Sequence, residues 1–109
     1  MTQAGFATYY IIEKKTDPIR DNDALPLELR LLTTFLKVAQ LQSFSKAAES
    51  LGYSQSAVTV QVQQLENELG VRLFDRIGKT VSITHYGQEF IPYARDVVSA
   101  AARAVSFTV

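Results

Sequence analysis

Cysteine is absent from this chain of 109 residues, and histidine occurs once, as His85. Without cysteine the chain forms neither a disulfide framework nor a thiolate metal site. A single histidine leaves no histidine cluster for zinc and no Ser-His-Asp arrangement. The sequence therefore predicts no metal ion and no cofactor, and we expect His85 to be a surface residue.

Long hydrophobic runs are also missing, and no stretch has the length that a bilayer-spanning helix needs. The N-terminus lacks a basic segment followed by an apolar one, so it does not resemble a secretory signal. These absences predict a soluble cytoplasmic protein. The length allows one small domain, and the hydrophobic and charged fractions, 47% and 20%, are typical of a globular one.

An excess of positive charge is the third absence. The chain has 11 basic and 11 acidic residues, and residues 1–26 hold three of the basic and four of the acidic ones. The remainder therefore carries eight basic and seven acidic residues, which is not the strongly basic balance typical of nucleic-acid-binding domains. Any binding of phosphates must depend on where the charges lie and not on their sum.

The segment from Ser45 to Gly70 contains two helical patterns separated by a short turn. Gly52 can adopt positive φ and end the first helix, and Ser54 can cap the second. Ala47 and Ala48 are small enough for the two helices to approach closely. This combination predicts a helix-turn-helix, and an ordinary helical hairpin is the alternative.

The second of these helices has two different faces. Its apolar stripe contains Val58, Val62, Leu65 and Leu69. No Lys or Arg occurs between Ser54 and Leu69, and the opposite face carries amides and hydroxyls that can bind base edges. We expect Val60 on this face to contact a thymine methyl group or a sugar. The predicted DNA-facing set is Gln55, Ser56, Thr59, Val60 and Gln63, with Glu66 and Glu68 pointing away from the phosphates.

Two β-rich runs, 73–77 and 81–83, follow and are separated by Gly78, Lys79 and Thr80, which predicts a hairpin. Arg76 and Lys79 make this hairpin basic, as in a wing that binds phosphates or enters a minor groove. A solvated turn is the alternative interpretation.

Helical patterns precede and follow this central part. The first helix, 27–42, is predicted to be a scaffold whose apolar face carries Leu29, Leu32, Phe35, Leu36 and Ala39. Arg30 near its start is expected to be solvated, with a phosphate contact as the alternative. Lys46 is expected to contact a phosphate, with a solvated lysine as the alternative. A last helix runs from His85 onward and is capped by Thr84. Its apolar stripe predicts a partner, most simply the same helix of a second copy: Phe90, Ala94, Val97, Val98, Ala101 and Val105.

With these elements placed, the chain resembles the DNA-binding end of LysR-type transcriptional regulators. The similarity runs from Leu27 to about Ala104 and includes, in order, SFSKAAESL, SQSAV, QLENELG, LFDR and T-x-x-G. Any one motif alone is weak, but their order and spacing are specific. The resemblance implies a mainly α fold: a winged helix-turn-helix at 27–84, followed by a linker and dimerisation helix at 85–109.

The resemblance also implies roles for individual residues. The recognition-helix set given above matches the family's DNA-facing positions, Arg30 and Lys46 match contacts to the DNA backbone, and Arg76, Lys79 and Thr80 match the wing. Ser56 stands where proline is usual, and Val60 stands where Arg, Lys or Gln is common. Residues 1–26 lie outside the family pattern, and we expect an added or misassigned leader, poorly ordered.

Double-stranded DNA and a second copy of the chain are the expected partners, and regulation of transcription is the expected role. The chain ends where such a regulator would begin its effector-binding domain, so we expect a fragment or a stand-alone head. A small-molecule effector is expected only if that further domain exists. A winged-helix module that binds a protein and not DNA is the alternative. An enzyme is the weakest hypothesis, because no nucleophile–base pair or phosphate loop occurs.

Overall fold

A computed structural model describes residues 27–78 and 80–108, so the expectations for 1–26 and for Lys79 lie outside the described residues. Three helices, a two-stranded antiparallel sheet and a long helix follow one another, which confirms the predicted winged helix-turn-helix. The elements are α1 (Leu29–Leu41), α2 (Phe44–Leu51), α3 (Gln55–Leu69), β1 (Phe74–Ile77), β2 (Thr80–Ile83), α4 (His85–Val105) and a 3-10 turn (Ser106–Thr108).

The helix-turn-helix begins and ends its helices largely where the sequence predicts. The Ser43 hydroxyl caps α2 by accepting the Lys46 amide at 3.0 Å, so α2 begins before Lys46. The Ser54 hydroxyl caps α3 by accepting the Ala57 amide at 3.1 Å. Gly52 ends α2 with φ 76°, a conformation that favours glycine. The predicted stop and cap are therefore confirmed.

The core lies where α1, α2, α3 and α4 meet, and a cluster of phenylalanine rings fills its centre. The Phe35 ring lies 5.5 Å from the Phe74 ring and 5.3 Å from the Phe90 ring, between centroids. The predicted apolar face of α1 needs correction, because Leu29 is 46% exposed whereas Leu31 and Val38 are fully buried. Since α1 packs against three other helices, its buried face is wider than one stripe.

The hairpin pairs Phe74 with Ile83 and Ile77 with Thr80, and Gly78 follows β1 with φ 63°. Leu73 and Phe74 are buried. The strands therefore extend from the core towards solvent, and their outer residues are exposed.

The start of α4 is tied to the base of the hairpin. The Thr84 hydroxyl accepts the Gly87 amide at 3.0 Å and donates to the Arg72 carbonyl at 2.6 Å. The Thr84 amide donates to the Leu73 carbonyl at 2.9 Å. Gly87 is buried, and a Cβ there would collide with the Leu73 carbonyl oxygen and the Ile83 side chain. The T-x-x-G motif thus joins hairpin and helix at close range.

The first half of α4 packs against the domain's own core. Ala94 is 0% exposed, and Phe90 and Val98 are partly buried against the core. This corrects the expectation that Ala94 belongs to a dimerisation surface, because its side chain has no surface left for a partner. Val97 and Val105 are exposed. Among the helices of the described residues, none has the length and apolar character required to cross a membrane.

Candidate nucleic-acid interface

The predicted recognition face lies on the outer side of α3. Val58, Val62 and Leu65 are buried on the opposite side, which fixes how the helix is rotated against the core. Thr59 is half-buried, and the other members of the predicted set are exposed: Gln55, Ser56, Val60 and Gln63. The first turn of α3 contains no acidic residue. The first two turns of α3 therefore present amide, hydroxyl and apolar groups to solvent on one face.

A groove of about 610 Å³ runs between α3 and the hairpin. Thr59 and Gln63 line it from α3, and Arg76 lines it from β1. The tertiary structure thus brings two residues of the predicted recognition helix together with one residue of the predicted wing. Gln55 and Ser56 lie nearer the N-terminus of α3 and do not line this groove.

Arg76 is held on the α2 side of the hairpin and not at its tip. Its guanidinium carbon lies 3.7 Å from the centroid of the Phe44 ring. Phe44 is buried, and Phe74 flanks it at 5.9 Å between ring centroids. The hairpin therefore folds back onto α2.

The remaining candidates for backbone contacts lie on three other elements: α1, α2 and β2. Arg30 forms an ion pair with Glu28 at 3.1 Å, and both side chains are about half exposed. Such exposed pairs contribute little, about 0–1 kcal/mol, so Arg30 can exchange its partner at low cost. Lys46 and Thr80 are exposed, on α2 and β2. Their roles stay predictions.

Glu66 is a structural residue that sequence reasoning missed. It was expected to point away from any phosphate, and its carboxylate is in fact turned towards the hairpin. One of its oxygens accepts the Leu73 amide at 2.7 Å and the Phe74 amide at 3.3 Å. Arg72 lies 3.8 Å from the same oxygen. Its position four residues after Val62 and three before Leu69, at the edge of the apolar stripe, is the signal that was available.

Gln61 is a second structural residue that sequence reasoning missed. It is buried, and its side-chain oxygen accepts the Thr34 hydroxyl at 2.5 Å. Its spacing, three residues after Val58 and four before Leu65, places it within the apolar stripe and indicates burial. This hydrogen bond joins the recognition helix to α1, so it helps to set the rotation of α3.

The comparisons with known proteins agree with this architecture. Residues 29–88 match the family model for bacterial regulatory helix-turn-helix proteins of the lysR family. The chain belongs to the LysR family. This LysR-family chain is 44% identical over 73 residues to the HTH-type transcriptional regulator HdfR of Escherichia coli O139:H28 (strain E24377A / ETEC). The aligned stretch covers 67% of the chain and 26% of that regulator, so the chain spans about a quarter of its relative's length.

Solved structures of LysR-type DNA-binding domains are similar along most of the described part. A CbnR_DBD–DNA complex superposes with a TM-score of 0.72 at 34% identity and covers 75% of this chain and 94% of that one. A complex of BenM_DBD with catB site 1 DNA superposes with a TM-score of 0.70 at 40% identity, covering 75% and 92%. Both neighbours are DNA-binding domains in complex with DNA, and they share the fold of this LysR-family chain.

Proposed function

We propose that the chain binds double-stranded DNA in a sequence-specific manner and thereby regulates transcription. The observation that carries this proposal is the uncharged polar face of α3 beside a groove that it shares with Arg76. Membership of the LysR family and the DNA complexes of CbnR_DBD and BenM_DBD support it. We propose no catalytic role. We also propose a cytoplasmic location, because bacterial DNA lies in the cytoplasm.

In the proposed complex, α3 enters the major groove by its N-terminal half. Gln55 and Gln63 are the candidates for direct readout, because a glutamine amide can form two hydrogen bonds with adenine. Glu66 and Glu68 belong to the C-terminal half of α3, and the Glu66 carboxylate is already occupied by the hairpin amides. The N-terminal half of α3 is therefore free of carboxylates, which phosphates would repel, and Glu66 lines the groove only farther along the helix.

The hairpin and the flanking helices are proposed to supply the cationic contacts. Arg76 lines the groove beside α3, and Lys79, which follows Gly78 in the sequence, is proposed to reach the adjacent minor groove of the DNA. Arg30, Lys46 and Thr80 are proposed to contact the DNA backbone. Because these contacts do not read bases, they should contribute equally to all DNA sequences.

We further propose that two copies pair through α4 and bind successive major grooves, about 34 Å apart. The apolar residues of α4 that keep accessible surface are the proposed contacts: Phe90, Val97, Val98, Ala101 and Val105. Val97→Asp should shift the mass in solution from dimer to monomer, whereas Ser99→Asp, on another side of the same helix, should not. A monomeric unaltered chain at micromolar concentration would contradict this part.

Titration with palindromic and random duplexes tests the proposal. Binding to a duplex selected from a random pool should weaken steeply with salt, because cations released from the phosphates drive association. Gln55→Ala should relax the sequence preference, whereas replacing Lys79 should lower the affinity for every duplex. A chain that shifts no duplex at low salt would instead support the protein-interaction alternative. Unchanged specificity of Gln55→Ala would contradict the role of that residue.

A further inference from the structure

Val60 is the one large apolar side chain on the proposed DNA-facing side of α3, and 58% of it is exposed. It lies in the second turn of the helix, four residues after Ser56 and three before Gln63, so the three side chains share one face. Both neighbours are exposed and uncharged. An apolar group therefore stands in the middle of a hydrogen-bonding surface.

The surroundings of Val60 favour a nucleic acid over an apolar protein partner. A protein groove that accepts a helix usually receives several apolar anchors at helical spacing. The helical neighbours of Val60 are Ala57, which is small and half-buried, and the polar, exposed residues Ser56, Gln63 and Gln64. An isolated isopropyl group flanked by amides and hydroxyls instead matches the major groove, where one methyl group lies among donors and acceptors.

Only one base presents an apolar group in the major groove, namely thymine through its 5-methyl group. Valine suits this contact because its branched side chain has little rotational freedom to lose in a helix. It can neither donate nor accept a hydrogen bond, so it gains no contact from the donors and acceptors that the other bases present there. Among the base edges of the major groove, the chemistry at this position thus selects a methyl group.

We propose that Val60 reads the 5-methyl group of one thymine in each half-site and so determines specificity at that base pair. This inference rests on the proposed function and adds the chemical group that one residue recognises. Burial of a single methyl group corresponds to about a fourfold change in affinity. The effect should be confined to one base pair per half-site.

Uracil substitution provides the test, because deoxyuridine differs from thymidine only by that methyl group. A duplex selected by the full chain from a random pool is prepared with each thymine of one half-site replaced in turn. One replacement should weaken binding by about fourfold. Val60→Ala should bind the thymine duplex about fourfold more weakly and lose nothing further with uracil at that position. Uracil at thymines outside the half-sites serves as the control.

Loss of folding does not confound this variant. Val60 is largely exposed, and alanine has the higher helix propensity, so Val60→Ala should keep its thermal midpoint or raise it slightly. Val60→Thr, which keeps one methyl group in the same shape, should retain part of the thymine preference.

Two results would overturn the inference while leaving the proposed function intact. In one, uracil weakens the unaltered chain and Val60→Ala by the same factor at every position. In the other, no thymine in the selected half-site responds to loss of its methyl group, or no thymine is selected. A pool from which no duplex is enriched would instead overturn the proposed function, and the inference with it.

Discussion

The Arg76 guanidinium lies against the face of the Phe44 ring, with 3.7 Å between the guanidinium carbon and the ring centroid. Phe44 opens α2 and Arg76 belongs to β1, so the contact fastens the hairpin to the helix-turn-helix. It also fixes the position of a cation beside the groove that α3 lines. A planar guanidinium can stack on the ring and still present its edge to a phosphate.

The first prediction concerns this contact. Arg76→Gln should lower the affinity for all duplexes and reduce the slope of log affinity against log salt by about 0.9, as for one lost phosphate contact. Arg76→Lys should keep the slope but bind more weakly, because it loses the stacked geometry. Phe44→Leu should weaken binding about two- to fivefold with the slope unchanged. The measurement is a duplex titration at several salt concentrations.

Arg103→Gln is the control for charge, since Arg103 is exposed near the end of α4 and lies far along the chain from the hairpin. An equal change of slope in Arg103→Gln and Arg76→Gln would show that only net charge matters, and would contradict a specific phosphate contact by Arg76.

The second prediction concerns Glu66, which accepts the amides of Leu73 and Phe74. Glu66→Ala should lower the free energy of unfolding by about 1–3 kcal/mol, because two partly buried amides lose their acceptor. Glu66→Gln keeps one carbonyl oxygen and should cost less. Urea unfolding followed by circular dichroism measures both.

Glu68→Ala, two residues further along α3 and exposed, should change the free energy of unfolding by no more than about 0.5 kcal/mol. Equal destabilisation by Glu66→Ala and Glu68→Ala would contradict a stabilising role for the hydrogen bonds between Glu66 and the hairpin amides.

The third prediction concerns the buried hydrogen bond from Thr34 to Gln61. Thr34→Val should lower the free energy of unfolding by about 1–3 kcal/mol, because the Gln61 side chain is left unpaired in the core. Adding Gln61→Leu should recover much of that loss, since replacing both partners by apolar groups removes the unpaired atom. The two single variants and the double variant form a cycle measured by urea unfolding, and strictly additive losses would contradict the coupling.

The fourth prediction concerns Gly87. Gly87→Ala should lower the free energy of unfolding by about 1–3 kcal/mol, as overpacking does, because its Cβ would collide with the Leu73 carbonyl oxygen and the Ile83 side chain. Gln88→Ala, exposed in the same turn of α4, should be neutral or slightly stabilising. Thermal unfolding by circular dichroism compares the two variants. An unchanged midpoint for Gly87→Ala would contradict the close packing of Gly87 against Leu73 and Ile83.

Much of this architecture was readable from local chemistry. Gly52 and Ser54 lie two positions apart in the chain and act on backbone groups within a few residues, so capping and termination need no tertiary information. The apolar stripe of α3 follows from helical periodicity and leaves Gln55, Val60 and Gln63 on the other side. The order and spacing of the LysR-family motifs predict the same helices and hairpin.

The chain's tertiary contacts decided the rest. Ala94 has the spacing of an interface residue, yet it is buried because α4 folds back onto α1, which periodicity cannot reveal. The sequence predicts Arg76 as a wing residue and gives Glu66 no structural role. Only the packing of the hairpin against α2 and α3 brings Glu66 to two amides and Arg76 to an aromatic ring. Sequence alone determined which groups each element offers, because propensity and periodicity act over a few residues. The three-dimensional fold decided which of those groups stay exposed, because packing joins residues that are distant in the chain.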